Sequence, residues 1–196
     1  MRVLPQNPLD WILLAAGTGT AIIIAVAIQD FFVDSRVNNP RIRALQDLGV
    51  GLAVMHFGVL LVRGSAGPGW AIAGIALYAA ATTLFLSSVE AARRVPLART
   101  LVEGPPKSLI TTGPFAVIRH PFYLSFSLAW LAAPVASHGI VIMLLSIGAI
   151  AVYVIAARRE ERELEDRFGE AYRNYKLGTG YVLPPVVRLV GRSTRA

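Results

Sequence analysis

No cysteine occurs among the 196 residues, so a disulfide framework, thiolate metal ligation and a cysteine nucleophile are all excluded. Histidine is scarce too: His56, His120 and His138 are scattered without metal-ligand spacing, and no metal centre is expected. Charge is the third shortage. Only 16% of the residues are charged against 55% hydrophobic, and the mean hydropathy is +0.56, too apolar for an ordinary soluble domain. Glycine-rich phosphate loops, nucleophile elbows, internal repeats and low-complexity tracts are missing as well. What charge there is leans positive, at +7. Basic residues flanking apolar runs are the usual product of membrane topology, so this excess predicts membrane lipids as neighbours and no nucleic-acid partner.

The apolar residues come in runs of membrane length. Trp11 to Ile28 carries no charge and approaches the roughly 20 residues that cross a hydrocarbon core of about 30 Å. It lacks a clear small-residue cleavage motif and reads as a retained span. Further spans run from about Leu48 to Val62 and from Trp70 to Val89, joined by a turn containing Gly64, Gly67, Pro68 and Gly69. Phe122 to Val135 is shorter, 14 residues with Pro121 just before it and Pro134 near its end, and Ile140 to Ala157 follows almost at once. A helical hairpin fits, its short first arm starting below the headgroups under a cover of protein. Pro121 suits the first helical position, where a missing N–H costs nothing. The expected fold is all-α: a polytopic transmembrane bundle of about five spans with a cytoplasmic amphipathic C-terminal helix. Residues 1–83 would hold the N-terminal transmembrane helices and 84–196 the catalytic region.

Five spans put the termini on opposite sides. With the C-terminus inside, the inner segments hold 17 Lys and Arg and the outer ones only Arg2 and Arg63. That split predicts an N-terminus outside and a C-terminus in the cytoplasm, in a bacterial or archaeal inner membrane. The hairpin then brings Gly113 to Tyr123, which enter it, to the same membrane face as Arg158-Arg159-Glu160-Glu161, which leave it. The first segment offers a cation, an imidazole, a phenol and a helix N-terminus, suited to a carboxylate or phosphate. The second offers carboxylates for an ammonium, a ribose diol or a sulfonium. Continued as a helix, residues 157 to 175 place Ala157, Leu164, Phe168, Ala171, Tyr172 and Tyr175 on one apolar stripe. Glu161 falls inside it and Glu160 on its margin, while Glu163, Asp166 and Glu170 point away. An acid on a buried stripe needs a partner.

Plainer readings exist for each residue. Arg119-His120-Pro121 also suits a headgroup anchor, Glu160 and Glu161 a solvated, salt-bridged face, and Tyr172 and Tyr175 simple packing. His56 within the second span is accounted for by a bond to a neighbouring carbonyl, and His138 by a loop.

The ordered set changes the balance. Leu109-Ile110-Thr111-Thr112-Gly113-Pro114-Phe115, then Ile118-Arg119-His120-Pro121-Phe122-Tyr123, then Arg159-Glu160-Glu161, Leu164, Phe168-Gly169, Tyr172, Tyr175 and Pro184, resembles the isoprenylcysteine carboxyl methyltransferase and phospholipid methyltransferase superfamily, over residues 84 to 185. The resemblance implies methyl transfer from S-adenosylmethionine to a lipophilic small-molecule or lipid acceptor at the cytoplasmic membrane face. It implies cofactor contacts from Arg119, His120, Pro121, Tyr123 and Glu160 or Glu161. Leu109, Ile110, Gly113 and Phe115 would line the adenine side, and Tyr172 and Tyr175 would close the pocket. Glu161 and His120 are the candidate bases for an acceptor that must lose a proton. Carboxyl-methylating members tend to carry an arginine where this chain has Tyr181, which points away from a prenylcysteine carboxylate. The rival expectations are a sterol-reductase-like membrane enzyme that binds NADPH and a non-catalytic membrane scaffold. Small residues such as Gly51 and Gly58 permit close helix packing, within one chain or in a homo-oligomer.

Overall fold

The computed structural model describes residues 7–32, 40–94 and 108–185. Arg36, Arg99, Lys107 and Arg188, which bear on the orientation and on the missing family arginine, lie outside them. The described residues form six α-helices: α1 Pro8–Phe32, α2 Pro40–Arg63, α3 Pro68–Arg93, α4 Pro121–Ser137, α5 Ile140–Phe168 and α6 Glu170–Gly178, with a 3-10 turn at Gly113–Ala116. Proline opens each of the first four, where its fixed φ is pre-organised and its missing N–H has no intrahelical partner to lose.

Three helices are long and apolar enough to cross a membrane alone, within Pro8–Ala27, Pro68–Arg93 and Ile140–Phe168. Gly49–Arg63, the later part of α2, and α4 are shorter apolar stretches. The packing is that of a protein solvated by lipid: Ile22, Val54, Ile72, Leu86, Leu144 and Ile155 project outward from four helices. Polar groups turn inward, as in the 2.9 Å bond between the Thr20 and Thr82 hydroxyls of α1 and α3. The protein is an integral membrane protein.

The hairpin forms as expected, with one difference. Pro134 was expected to close the short arm, but α4 runs through it to Ser137 and ends where His138 adopts a left-handed conformation, φ 52°. A proline removes only its own bond, here to the Trp130 carbonyl four residues back, and the neighbouring bonds carry the helix on. α4 has two faces of different character. Its small residues Ser125, Ala129, Ala132, Ala133 and Ala136 are buried, and α3 is its most extensive neighbour. His120, Tyr123, Phe126 and Trp130, spaced by three or four residues, share another face. Phe85 of α3 meets Phe122 and Phe126 at ring distances of 5.6 and 5.8 Å near the start of α4.

The apolar part of α5, residues 140–157, is 18 residues and about 27 Å long, enough for the hydrocarbon core. Residues 158–168 are rich in charge and carry the helix on past it into water. Gly169, at φ 53°, separates α5 from α6 in a conformation that a Cβ would strain, so α6 folds back toward the mouth of the hairpin.

Candidate active site at the hairpin mouth

The site is assembled from three pieces of chain: the loop 108–120 leading into α4, the charged extension of α5, and α6 with the turn after it. Backbone pairing joins the first piece to the third. Ile118 and Gly180 form a parallel bridge; Gly180 donates to the Val117 carbonyl at 3.0 Å, Arg119 to Gly180 at 2.8 Å, and His120 to Tyr181 at 3.1 Å. Gly180 has no room for a side chain: a Cβ there would collide with the Leu183 carbonyl. This clamp covers the start of α4, and His120 and Pro121 are buried.

Arg119 is the hub. Its Nε donates to Glu161 Oε1 at 2.6 Å, while Nη1 donates to the carbonyls of Thr179 and, at 3.3 Å, Lys176. The guanidinium therefore satisfies carbonyls at the end of α6, groups that a helix C-terminus otherwise leaves unpaired. It also lies 5.7 Å from the ring centre of Tyr181. Glu161 holds a second partner, His120 Nε2, at 3.4 Å, and Lys176 Nζ stands 4.0 Å from its other oxygen. Arg119 and Glu161 side chains are only 12% and 14% exposed, so the pair works with little screening by water.

The electrostatics follow from that arrangement. Burial would push the Glu161 carboxyl up, but the hydrogen bond and charge of Arg119, with His120 and Lys176 behind, outweigh it and hold the group below the ordinary carboxylate value. Burial lowers the His120 imidazole, against the opposing pull of Glu161, and keeps it neutral at neutral pH. An ionised Glu161 only accepts, so the neutral imidazole carries its proton on Nε2 and its lone pair on Nδ1, which is 4.0 Å from Glu160 Oε2.

The tyrosines enclose this cluster. Tyr175 donates to the Phe115 carbonyl at 2.7 Å, and burial pushes its phenol up to about 12. Tyr172 is buried with a hydroxyl that makes no geometric hydrogen bond. Burial first, and then the nearby Glu161, raise its pKa; the carboxylate is thus in electrostatic reach of the hydroxyl without a bond of good geometry. Phe115 meets Phe122 at 5.9 Å, and His120 meets Tyr123 at 5.7 Å and Tyr181 at 4.8 Å.

Of the sequence-predicted residues, the fold brings together Phe115, Arg119, His120, Pro121, Tyr123, Glu160, Glu161, Tyr172 and Tyr175. Glu160 is at the margin, its side chain 49% exposed. Leu109 and Ile110 are half-buried just before the 3-10 turn, and Gly113 opens that turn against Ala91 of α3. Sequence reasoning missed Lys176 and the carbonyls of Lys176 and Thr179. It saw Tyr181 only as a residue replacing another. The one available signal was Gly178-Thr179-Gly180, a turn that had to return the chain somewhere. Among the described residues no His, Asp or Glu group could hold a metal ion.

Comparison with known proteins bears on this geometry. A family model described as phospholipid methyltransferase matches residues 70–171, which run from α3 through the whole hairpin into α6. The chain is 35% identical over 78 residues to a methanethiol S-methyltransferase of Pseudomonas deceptionensis, covering 39% of this chain and 29% of that protein. It is 36% identical over 83 residues to methanethiol S-methyltransferase 1 of Bradyrhizobium diazoefficiens, covering 42% and 28%. It is 36% identical over 67 residues to a methanethiol S-methyltransferase of Mycobacterium tuberculosis, covering 34% and 27%. The matched segments span less than a third of each of these relatives.

Proposed function

We propose, starting from the fact that the chain belongs to the phospholipid methyltransferase family, that it transfers a methyl group from S-adenosylmethionine to a lipophilic or amphiphilic acceptor at the cytoplasmic face of the membrane. The observation that carries this reading is the Arg119–Glu161–His120 cluster, which the hairpin assembles beside the buried, unbonded Tyr172 hydroxyl.

The donor set suits such a cofactor. Glu161 and Glu160 offer oxygens to an ammonium, a ribose diol or a positive sulfur; Tyr172 offers a hydroxyl in want of a partner; and Phe115, Tyr175 and Tyr181 offer ring surface. When bound, S-adenosylmethionine supplies a methyl group already activated by its positive sulfur and leaves as a neutral thioether. The residues have three tasks. Arg119 holds Glu161 ionised and in place. The aromatic enclosure keeps water from the reacting methyl and aligns the acceptor, which alone can lower a barrier by several kcal/mol. Where the acceptor carries a proton, His120 Nδ1 receives it, and the resulting imidazolium is stabilised by Glu161 at Nε2. The cytoplasmic placement is supported by the Lys and Arg distribution. A second reading, a small thiol acceptor, is favoured by the substrate in the relatives' names.

The test supplies methyl-labelled S-adenosylmethionine to membranes containing the protein, with a panel of extracted lipids and small thiols. Label in one acceptor that disappears with His120→Ala supports the reading. Absence of label from every acceptor moves the account to the scaffold alternative.

A further inference from the structure

The aromatic face of α4 extends from the cluster into the membrane. Tyr123, Phe126 and Trp130 follow His120 along it, and from Tyr123 to Trp130 the helix rises about 10 Å. Tyr153 of α5 stands opposite all three: its ring is 5.8 Å from Tyr123 and 5.7 Å from Phe126, and its hydroxyl accepts the Trp130 indole N–H at 2.9 Å. Trp130 is fixed from the other side by α2, where His56 meets its ring edge-on at 5.3 Å and Gly49 lies against its edge. His56 is bonded in turn to Ser146 at 3.2 Å. The polar atoms of Trp130 and Tyr153, and of His56 and Ser146, are thus paired, while a carboxylate, Glu160, stands beside Tyr123 at the end of the row nearest the cluster.

We propose that this row is the subsite for the body of the methyl acceptor, and that the Trp130–Tyr153 pair determines which acceptors fit. The occupant is an amphiphile whose reacting head reaches His120 while an uncharged, apolar body lies along Tyr123, Phe126 and Tyr153 toward Trp130. Ring faces whose polar atoms are already paired favour such a body and penalise a second charge or free polar group at that depth. The indole bond holds Tyr153 upright, so removing it loosens the far wall without touching Glu161 or Arg119. The inference rests on the methyltransferase reading for the word acceptor.

The chain has three tryptophans, which permits a direct readout. In lipid nanodiscs, a Trp11→Phe/Trp70→Phe variant reports quenching at Trp130, and a Trp70→Phe/Trp130→Phe variant reports it at Trp11, which is half-exposed on α1. The quencher is a long-chain fatty alcohol brominated at its tail. Saturable quenching of Trp130, displaced by the unbrominated alcohol and weakened about threefold to tenfold by Tyr153→Phe, is the expected result, with Trp11 showing only unsaturable partitioning. A short-chain bromo-alcohol should leave Trp130 unquenched. Identical, unsaturable quenching at both tryptophans, or indifference to Tyr153→Phe, overturns the subsite. S-adenosylmethionine binding is measured on the same samples: its absence sinks the parent reading, whereas intact binding with indiscriminate quenching sinks the subsite alone.

Discussion

Arg119 Nε and Glu161 Oε1 meet at 2.6 Å although 42 residues separate them in the chain. The bond joins the entrance of the membrane hairpin to its exit, and the same guanidinium holds the end of α6. One side chain therefore fixes the relative positions of all three pieces of the site.

Replacing Glu161 by Gln leaves Arg119 largely buried without its counter-charge. Loss of a hydrogen bond between charged groups costs about 1.5–3 kcal/mol, so the variant should melt several degrees lower. Its affinity for S-adenosylmethionine should fall by about tenfold to a hundredfold. Thermal denaturation and calorimetry in detergent measure the two effects separately.

The pH dependence of stability has a definite sign. Glu161 is depressed below the ordinary 4.5, so its contribution is complete above that value and is lost as pH falls through the lower folded-state value. His120 is depressed below 6.5, so the unfolded chain takes up a proton there before the folded chain does, and stability again declines as pH falls below 6.5. Both act in the same direction. Denaturation across pH 4 to 8, on the order of the unperturbed values, should show a decline toward acid, and the portion near 6.5 should shrink in His120→Asn.

Tyr175→Phe removes the donor to the Phe115 carbonyl and leaves the ring. The expected loss is about 0.5–1.5 kcal/mol of stability, with cofactor affinity weakened a few-fold because the loop before α4 loses its tie to α6.

Gly180→Ala should be more severe than its size suggests. The added methyl collides with the Leu183 carbonyl, so the turn must shift and the bridge to Ile118 must open. A backbone clash of this kind costs on the order of 1–3 kcal/mol. Hydrogen exchange should show the amides of Arg119 and His120, which the turn accepts, losing protection together.

Much of this was legible beforehand because membrane spans and helical stripes are patterns of single residues. The apolar runs located the helices, and the 100° spacing put Glu161 on the inner side, where the fold has it. The same spacing put Tyr172 there only by continuing one helix from 157 to 175, whereas the chain breaks at Gly169 and Tyr172 reaches the site because α6 folds back. Pro134 misled because proline reads as a boundary, whereas α4 gives up the one bond to the Trp130 carbonyl and continues to Ser137. The clamp was invisible for a different reason. The Gly180 and Tyr181 carbonyls that hold Arg119 and His120, and the Thr179 carbonyl under the guanidinium, are backbone groups, which leave no signature in side-chain pattern. Lys176 reads as one more surface cation until α6 folds back at Gly169 and places it near Glu161.

The central claim is that the Arg119–Glu161–His120 cluster holds S-adenosylmethionine. Equilibrium binding of S-adenosylmethionine and of NADPH to purified, detergent-solubilised protein tests it most directly. The account predicts saturable S-adenosylmethionine binding that Glu161→Gln weakens by at least about tenfold, and no NADPH binding. Saturable NADPH binding without S-adenosylmethionine binding would contradict it.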